Sequence, residues 1–464
     1  MNFKEKYFGD KAFFRTLFAV LIPIVIQNTF NNFVNLLDNV MVGRLGTEAM
    51  SGVSVANSLF FVFYLAIFGV MSGAGIYGAQ YAGKKDWQGV RITFRYKLVA
   101  GTLLCLGFLA LLYFKGEDLI LLYLTDDGTS DLGLTLSYSR AYMLIIFFQM
   151  LPNVFVQAYA TTLRETGETK LPMYAGIAAV VTNFVLNYIL IFGKFGAPAL
   201  GVRGAAIATV VSRFVELAII IAGTVRRRDT LEWPKGLLFP FVIPGREALA
   251  ITKQGLALMI NETMWSLGNT VLMQFYSTRG LSVVAALNIA NTVNNLFMVS
   301  VISCGSAVGI IIGQLLGAGK VEEAKETDRK LIFFSVFLCV CVALVMGVAA
   351  PFIPYIYKTE DAVRTLATRF LWVQAVFLVM DSYFNACYFT LRAGGNTLVT
   401  IIFDSGHLWA IVVPIGFVLA YYTELPILML FVLVQLPYLM KIFIGTYLLR
   451  RGTWARSLVE EQDA

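Results

Sequence analysis

Four carboxylates stand where carboxylates are costly. Asp38, Glu262, Asp381 and Asp404 each lie within a long apolar run. On insertion scales an acid at membrane depth costs about 2.5–3.5 kcal/mol, so such a residue is read first as functional. Asn28, Asn31, Asn35 and Asp38 fall three or four residues apart in QNTFNNFVNLLDNVMVG, which places them on one face of a helix. A polar stripe on an apolar helix faces a cavity, not lipid. Asp38 is near the far end of its run, and an interfacial anchor is the plainer alternative. Asn183 and Asn187, four apart on another run, also share a face. Amide oxygens with one carboxylate make a hard-oxygen site at Asp38, Asn183 and Asn187, suited to Na⁺, or to a proton held on the carboxylate alone. The competing reading of the amides is interhelical hydrogen bonding, worth about 0.6–2 kcal/mol.

Glu262 lies in LALMINETMWSLGN beside Asn261 and Trp265, and Asp381 lies in AVFLVMDSYFNACYF. Acids among aromatic and Met side chains suit organic cations, through charge and cation–π attraction. Asp404 and His407 open a further run. A helix-start carboxylate and an interfacial imidazole explain them equally well.

The elements that carry these residues follow from composition. The chain is 58% hydrophobic and 14% charged over 464 residues, with a mean hydropathy of +0.73. That is too little polar surface for a water-facing globule. Apolar runs long enough to cross a bilayer recur along the whole chain, and lipid leaves helices as the form for runs of this length. Twelve spans are predicted: 13–40, 52–80, 93–114, 136–161, 171–193, 204–224, 249–277, 283–312, 330–353, 366–389, 397–420 and 426–449. With the N-terminus in the cytoplasm, alternate segments collect the Lys and Arg, among them Lys84, Lys85, Arg226, Arg227, Arg228 and Lys320. An opposite loop is acidic (Glu117, Asp118, Asp126, Asp127, Asp131). This positive-inside asymmetry puts both termini in the cytoplasm of a multi-pass protein of the cell (inner) membrane. It accounts for the net charge of +7 without a nucleic-acid partner. The five cysteines read as buried thiols. The first apolar run reads as a retained helix, since no small-residue cleavage site follows it.

The chain repeats itself. One constant offset carries Gly46 onto Gly280, Ala56-Asn57 onto Ala290-Asn291, Phe63 onto Phe297, Ser72 onto Ser306, Gln80 onto Gln314 and Gly83 onto Gly317. LRETGET at 163–169 pairs with LRAGGNT at 391–397. Six spans per half is an even number, so the halves share orientation, as in parallel-repeat transporters. The expected division is a first lobe over 1–224, a cytoplasmic linker over 225–248 and a second lobe over 249–464.

Two motifs fail on context. Gly73-Ala-Gly75-Ile-Tyr-Gly78 spells a dinucleotide fingerprint but sits late in an apolar helix with no preceding strand. Close helix contact, with Gly69 and Gly73 as a GxxxG pair, is the better reading. GQLLGAGKVEE at 313–323 lacks the first glycine and the Ser or Thr of a phosphate loop. No nucleotide partner is therefore expected, nor is a nucleophile–base pair or an HExxH helix present. The expectation is a non-enzyme without a cofactor, driven by an ion gradient or by a partner.

LLDNVMVGRLGTEAMSGV, the paired LRxxGxT blocks and the Gly-Ala-Ala-Ile-Ala-Thr run at 204–209 resemble the multidrug and toxic compound extrusion (MATE) family over essentially the whole chain. The resemblance implies an all-α integral membrane fold of two six-helix bundles around a V-shaped cavity. It also implies export of drugs or metabolites in exchange for Na⁺ or H⁺. By the same resemblance Thr209 joins Asp38, Asn183 and Asn187 as the coupling site. Glu262 and Asp381 match the second-lobe acids of the NorM-like branch, and NETMWSLGN is similar to a MepA-like bacterial subgroup. Asn35, Asp404 and Trp265 are secondary candidates. The expected partners are a small organic substrate and the lipid bilayer, with a monomer as the working unit. Two other functions compete. A lipid-linked sugar flippase of the same superfamily needs several Lys or Arg within its spans, whereas the deep charges here read as acids. An integral-membrane transferase needs clustered catalytic residues at one interface.

Overall fold

The computed structural model describes residues 7–123, 131–237, 239–357 and 359–463, without the side chains of Asn35, Leu36 and residues 461–463. Regular structure among these residues is helical, with no strand. The first half holds α1 (Lys11–Gly43), α2 (Thr47–Lys84), α3 (Trp87–Leu121), α4 (Leu132–Glu165), α5 (Lys170–Phe192) and α6 (Val202–Arg226). The second holds α7 (Gly245–Ser277), α8 (Leu281–Gly317), α9 (Val321–Ala349), α10 (Asp361–Ala393), α11 (Thr397–Tyr422) and α12 (Ile427–Arg451), followed by the short α13 (Leu458–Asp463). Among the described residues, 11 helices are long and apolar enough to cross a membrane. The twelfth, α7, has 33 residues, which at about 1.5 Å each is ample length. Arg246, Glu247, Lys253 and Glu262 dilute its apolar character.

Local chemistry sets the helix ends. Asp86 caps α3 by accepting from the Gln88 and Gly89 amides, both at 3.0 Å. Asp131 caps α4 through the Leu134 amide at 3.0 Å. Such caps satisfy N–H groups that a helix start leaves open. The other two acids of that loop's centre, Asp126 and Asp127, lie outside the described residues. The ninth span ends at Ala349, short of the expected 353, because Pro351 cannot continue a helix. Cys105, Cys304, Cys339 and Cys387 are buried as expected, but Cys341 is exposed. It lies two residues from Cys339, and that step turns a side chain to the opposite helix face.

The Cα positions form two compact units. One comprises Ile26–Gly78 and Asp86–Met259; the other comprises Met1–Val25, Ala79–Lys85 and Ile260–Ala464. The units depart from chain order in α1, α2 and α7, and packing explains two of these departures. Leu17, Leu21 and Ile24 of α1 share a core cluster with Cys304, Val308 and Ile312 of α8. The tip of α2 crosses α8 with no room for side chains. A Cβ at Gly83 would collide with the Gln314 backbone, and one at Gly317 with the Gln80 backbone. These are the residue pairs that the internal repeat superimposes, so the crossing is reciprocal. Gln80 itself donates to the Ala393 carbonyl at 2.9 Å and accepts from the Leu458 amide at 2.7 Å.

The segment after α6 is docked, not slack. Arg95 donates to the carbonyls of Leu237 and Gly236, both at 2.9 Å, and Arg91 to that of Lys235 at 2.7 Å. Trp233 is fully buried against Phe94 and Tyr159. Basic residues that sequence alone assigns to topology thus also pin this connection to α3.

Candidate functional site

In the first-half unit, Asp38 of α1 meets α5 and α6. Asn183 and Asn187 are one turn apart on α5, so both amides reach the same carboxylate face. Asn187 Nδ2 donates to Asp38 Oδ1, and to Asn183 Oδ1 at 3.1 Å. Asn183 Nδ2 donates to Thr209 Oγ1 of α6 at 3.2 Å, and that hydroxyl donates to the Ala205 carbonyl at 3.0 Å. With the Asn183 amide turned over, its nitrogen donates to Asp38 Oδ1 at 2.9 Å and its oxygen accepts from Thr209 at 3.2 Å. The two orientations differ in what they demand of Asp38. A carbonyl oxygen against a carboxylate is tolerable only with a proton or a cation between them. Asn187 is 1% exposed, and its Oδ1 has no partner among the described residues. A buried acceptor without a donor is costly, and it belongs to the amide whose nitrogen meets Asp38.

The surroundings of Asp38 hold residues that sequence reasoning missed. Tyr142 of α4 is within hydrogen-bond reach of Asn57 and Thr209, and the Asp38 charge acts on it. Gln149 donates to the Tyr64 hydroxyl at 3.3 Å. Arg213 of α6 pairs with Glu216 at 2.6 Å, and its charge acts on both Tyr64 and Asp38. The side chain of Asn35 lies outside the described residues.

The second-half unit builds a different cluster from α7, α10, α11 and α12. Glu262 Oε1 accepts from the Tyr388 hydroxyl at 2.6 Å. Asp404 is gripped at both oxygens: Lys441 Nζ lies 2.9 Å from Oδ1, and Asn261 Nδ2 lies 3.1 Å from Oδ2. Asp404 is not at a helix start. It lies inside α11, in a π-helical stretch over Ile402–Gly406 that a second such stretch, Leu408–Val412, follows. π turns re-aim side chains and concentrate at functional sites. Asn261 also binds this stretch, accepting from the Ser405 hydroxyl at 2.8 Å. Asp381 takes no hydrogen bond among the described residues, but the Lys441 charge acts on it. The Lys441 ammonium stands over the Phe403, Tyr438 and Phe384 rings at 5.1, 5.4 and 5.8 Å. His407 Nε2 meets the Pro437 carbonyl at 3.1 Å, and its ring faces Tyr438. Trp265 is 45% exposed, and its ring has no hydrogen-bond or ring partner among the described residues.

The expectation that the deep charges are acids alone is therefore corrected. Lys97, Arg213 and Lys441 all lie within spans, each held by a carboxylate. Lys97 is fully buried, 2.7 Å from both oxygens of Glu165 and 3.0 Å from Thr162 Oγ1. The glycine-rich run at 73–78 makes room for this pair, since a Cβ at Gly75 or Gly78 would collide with the Glu165 carboxylate. Gly73 closes on Gly255 and Gly69 on Met259 of α7, the close helix contact that the small residues imply. Matching charges of opposite sign, within one span for Arg213 and Glu216 and between spans for the other two, would have found all three pairs.

A family model described as MatE matches residues 23–189 and 257–422. The two segments start at the offset that carries Gly46 onto Gly280, so the match follows the internal repeat. A Bacillus subtilis protein described as a probable multidrug resistance protein, YoeA, is 29% identical over 418 residues, 89% of this chain and 88% of its own. A Thermotoga maritima protein described as a probable multidrug resistance protein, NorM, is 26% identical over 420 residues, 89% of this chain and 87% of its own. Among solved structures, the outward-facing conformation of a MATE family multidrug resistance transporter of the MOP superfamily superposes with a TM-score of 0.83. It covers 94% of this chain and 95% of its own at 20% identity, a likeness of fold.

Proposed function

This chain belongs to the MatE family of multi-pass membrane transporters, and from that premise we infer that it exports small organic, often cationic, drugs or metabolites in exchange for H⁺ or Na⁺. The observation that carries the reading is Asp38, a carboxylate set among apolar helices with two amides that accommodate two states of it. Charged, Asp38 accepts from Asn187 and from a turned Asn183. Protonated or cation-bound, it can face the Asn183 carbonyl oxygen instead. Each state favours a different packing of α1 on α5, and an ion shifts a conformational equilibrium only through such differential binding. Asp38, Asn183 Oδ1, Thr209 Oγ1 and the partnerless Asn187 Oδ1 are hard oxygens suited to Na⁺. The Arg213 charge opposes either ion at the same carboxylate.

The second cluster is read as the substrate-recognising one, with Glu262 and Asp381 attracting cations among aromatic rings. The two halves act as lobes, 1–224 and 249–464, with both termini on the cytoplasmic side of the cell membrane, as the Lys and Arg distribution supports. A single chain suffices as the working unit. The test is reconstitution into liposomes, with efflux of an organic cation measured under separately imposed proton and Na⁺ gradients. The expected result is gradient-driven export that Asp38→Asn removes at equal incorporation. Export indifferent to both gradients, or unchanged by Asp38→Asn, overturns the reading.

A further inference from the structure

The second-half cluster already contains a cation. Lys441 is 4% exposed, and its ammonium is ringed by Phe403, Tyr438 and Phe384. Three aromatic faces around a positive charge, with a carboxylate at its edge, is the arrangement that proteins use to bind organic ammonium ligands. Here the occupant is tethered to α12. It is bonded to Asp404, while the second carboxylate on which its charge acts, Asp381, has no hydrogen-bond donor of its own among the described residues. Beside the cage, His407 Nδ1 is buried without a partner among the described residues, a polar atom that the resident contacts do not use. Lys441 has four rotatable side-chain bonds and a compact charge, so its head can change carboxylate without moving the helix.

We propose that Lys441 is a tethered competitor: its ammonium fills the aromatic cage that an organic cation would occupy, and substrate entry transfers it from Asp404 towards Asp381. This deepens, and rests on, the reading of the second cluster as the substrate-recognising one. At rest one ammonium serves two carboxylates; with substrate bound, the incoming cation pairs with Asp404 and Lys441 with Asp381. The buried charge rises by the cation that enters and falls again as it leaves, and Asp404 is not left bare after release. Release is built in, because the departing substrate is replaced by a group that cannot diffuse away.

The experiment measures binding of tetraphenylphosphonium to the purified protein, beside its gradient-driven efflux from liposomes. Lys441→Gln removes the charge and shortens the stem; Lys441→Gln with Asp404→Asn removes both partners, so that no acid is left buried without its cation. The expected result is binding tighter by about tenfold or more in one or both variants, together with slower efflux, because release has lost its competitor. Lys441→Arg, which keeps a cation at the cage, is expected to bind as the wild type does. If Lys441→Gln does not fold, the double variant decides. Unchanged or weaker binding in folded variants, with wild-type binding and efflux intact, overturns the tethered-competitor role and leaves the transport reading standing. Absence of binding and efflux in the wild type and all variants overturns both.

Discussion

The two polar clusters solve the same problem, a carboxylate inside an apolar bundle, by different means. Asp38 is held by neutral amides and a hydroxyl, with the Arg213–Glu216 pair behind them. Asp404 is held directly by an ammonium in an aromatic cage. Amide groups can turn over and present either a donor or an acceptor, so the first cluster can answer a change in the charge of Asp38. An ammonium presents donors only, so the second cluster answers by moving or exchanging its cation. The repeat sharpens the contrast. Asp381 falls on Asn153 when the LRxxGxT blocks are aligned, and the Asn153 amide nitrogen is buried without a partner among the described residues. One ancestral position thus carries an acid in one half and an amide in the other. The difference suits an ion-coupling cluster and a cation-recognising cluster.

The largest effect that separates the clusters is expected at Asp38. Asp38→Asn should reduce coupled export of every substrate to background while the protein stays folded. Export that survives for neutral substrates only would make Asp38 a second recognition acid and erase the distinction. The next largest effect is a control outside both clusters. Lys97→Met leaves the Glu165 carboxylate buried without its cation, a change that costs about 3–5 kcal/mol, and thermal inactivation in detergent should show it. Lys97→Met with Glu165→Gln should recover most of the loss. If the single variant is as stable as the wild type, buried pairing is not what holds this part of α3 to α4.

Smaller effects refine the assignment. Glu262→Gln and Asp381→Asn should each weaken export of cationic substrates by about 1–2 kcal/mol, near tenfold in apparent affinity, the scale of a desolvated cation–π or charge contact. Export of neutral substrates should fall much less, and equal losses would move these acids into ion coupling. The smallest effect concerns Arg213. Replacing Arg213 and Glu216 together by Gln removes the nearby guanidinium without stranding its acid. Na⁺ should then inhibit proton-driven export at concentrations a few-fold lower, since the removed charge repels a cation at Asp38. An unchanged Na⁺ response would mean that Arg213 does not reach the coupling site.

Much of the fold was legible because membrane helices advertise themselves. Apolar length, the bias of Lys and Arg, and the reuse of Gln80/Gln314 and Gly83/Gly317 predict helices and a repeat before any packing is known. The stripe spacing of Asp38, and of Asn183 with Asn187, anticipates residues that the structure does bring together. The ion pairs were less legible. Lys97 and Glu165 are far apart in the chain, and each alone looks like an interruption in an apolar run. Asp404 was ambiguous for another reason: a π turn changes which face a side chain presents, and spacing arguments assume an α-helix.

From the order of residues alone come the helical class, the doubled architecture and the positions of the acids within apolar runs, since hydrophobic length, charge bias and repeat are properties of one dimension. Only the folded chain decides which amide turns towards Asp38, which ammonium Asp404 holds, and that the α2 tip packs with α8. Those outcomes depend on distances between residues remote in sequence. Charge pairing and close packing act over a few ångströms of space, whatever the separation along the chain.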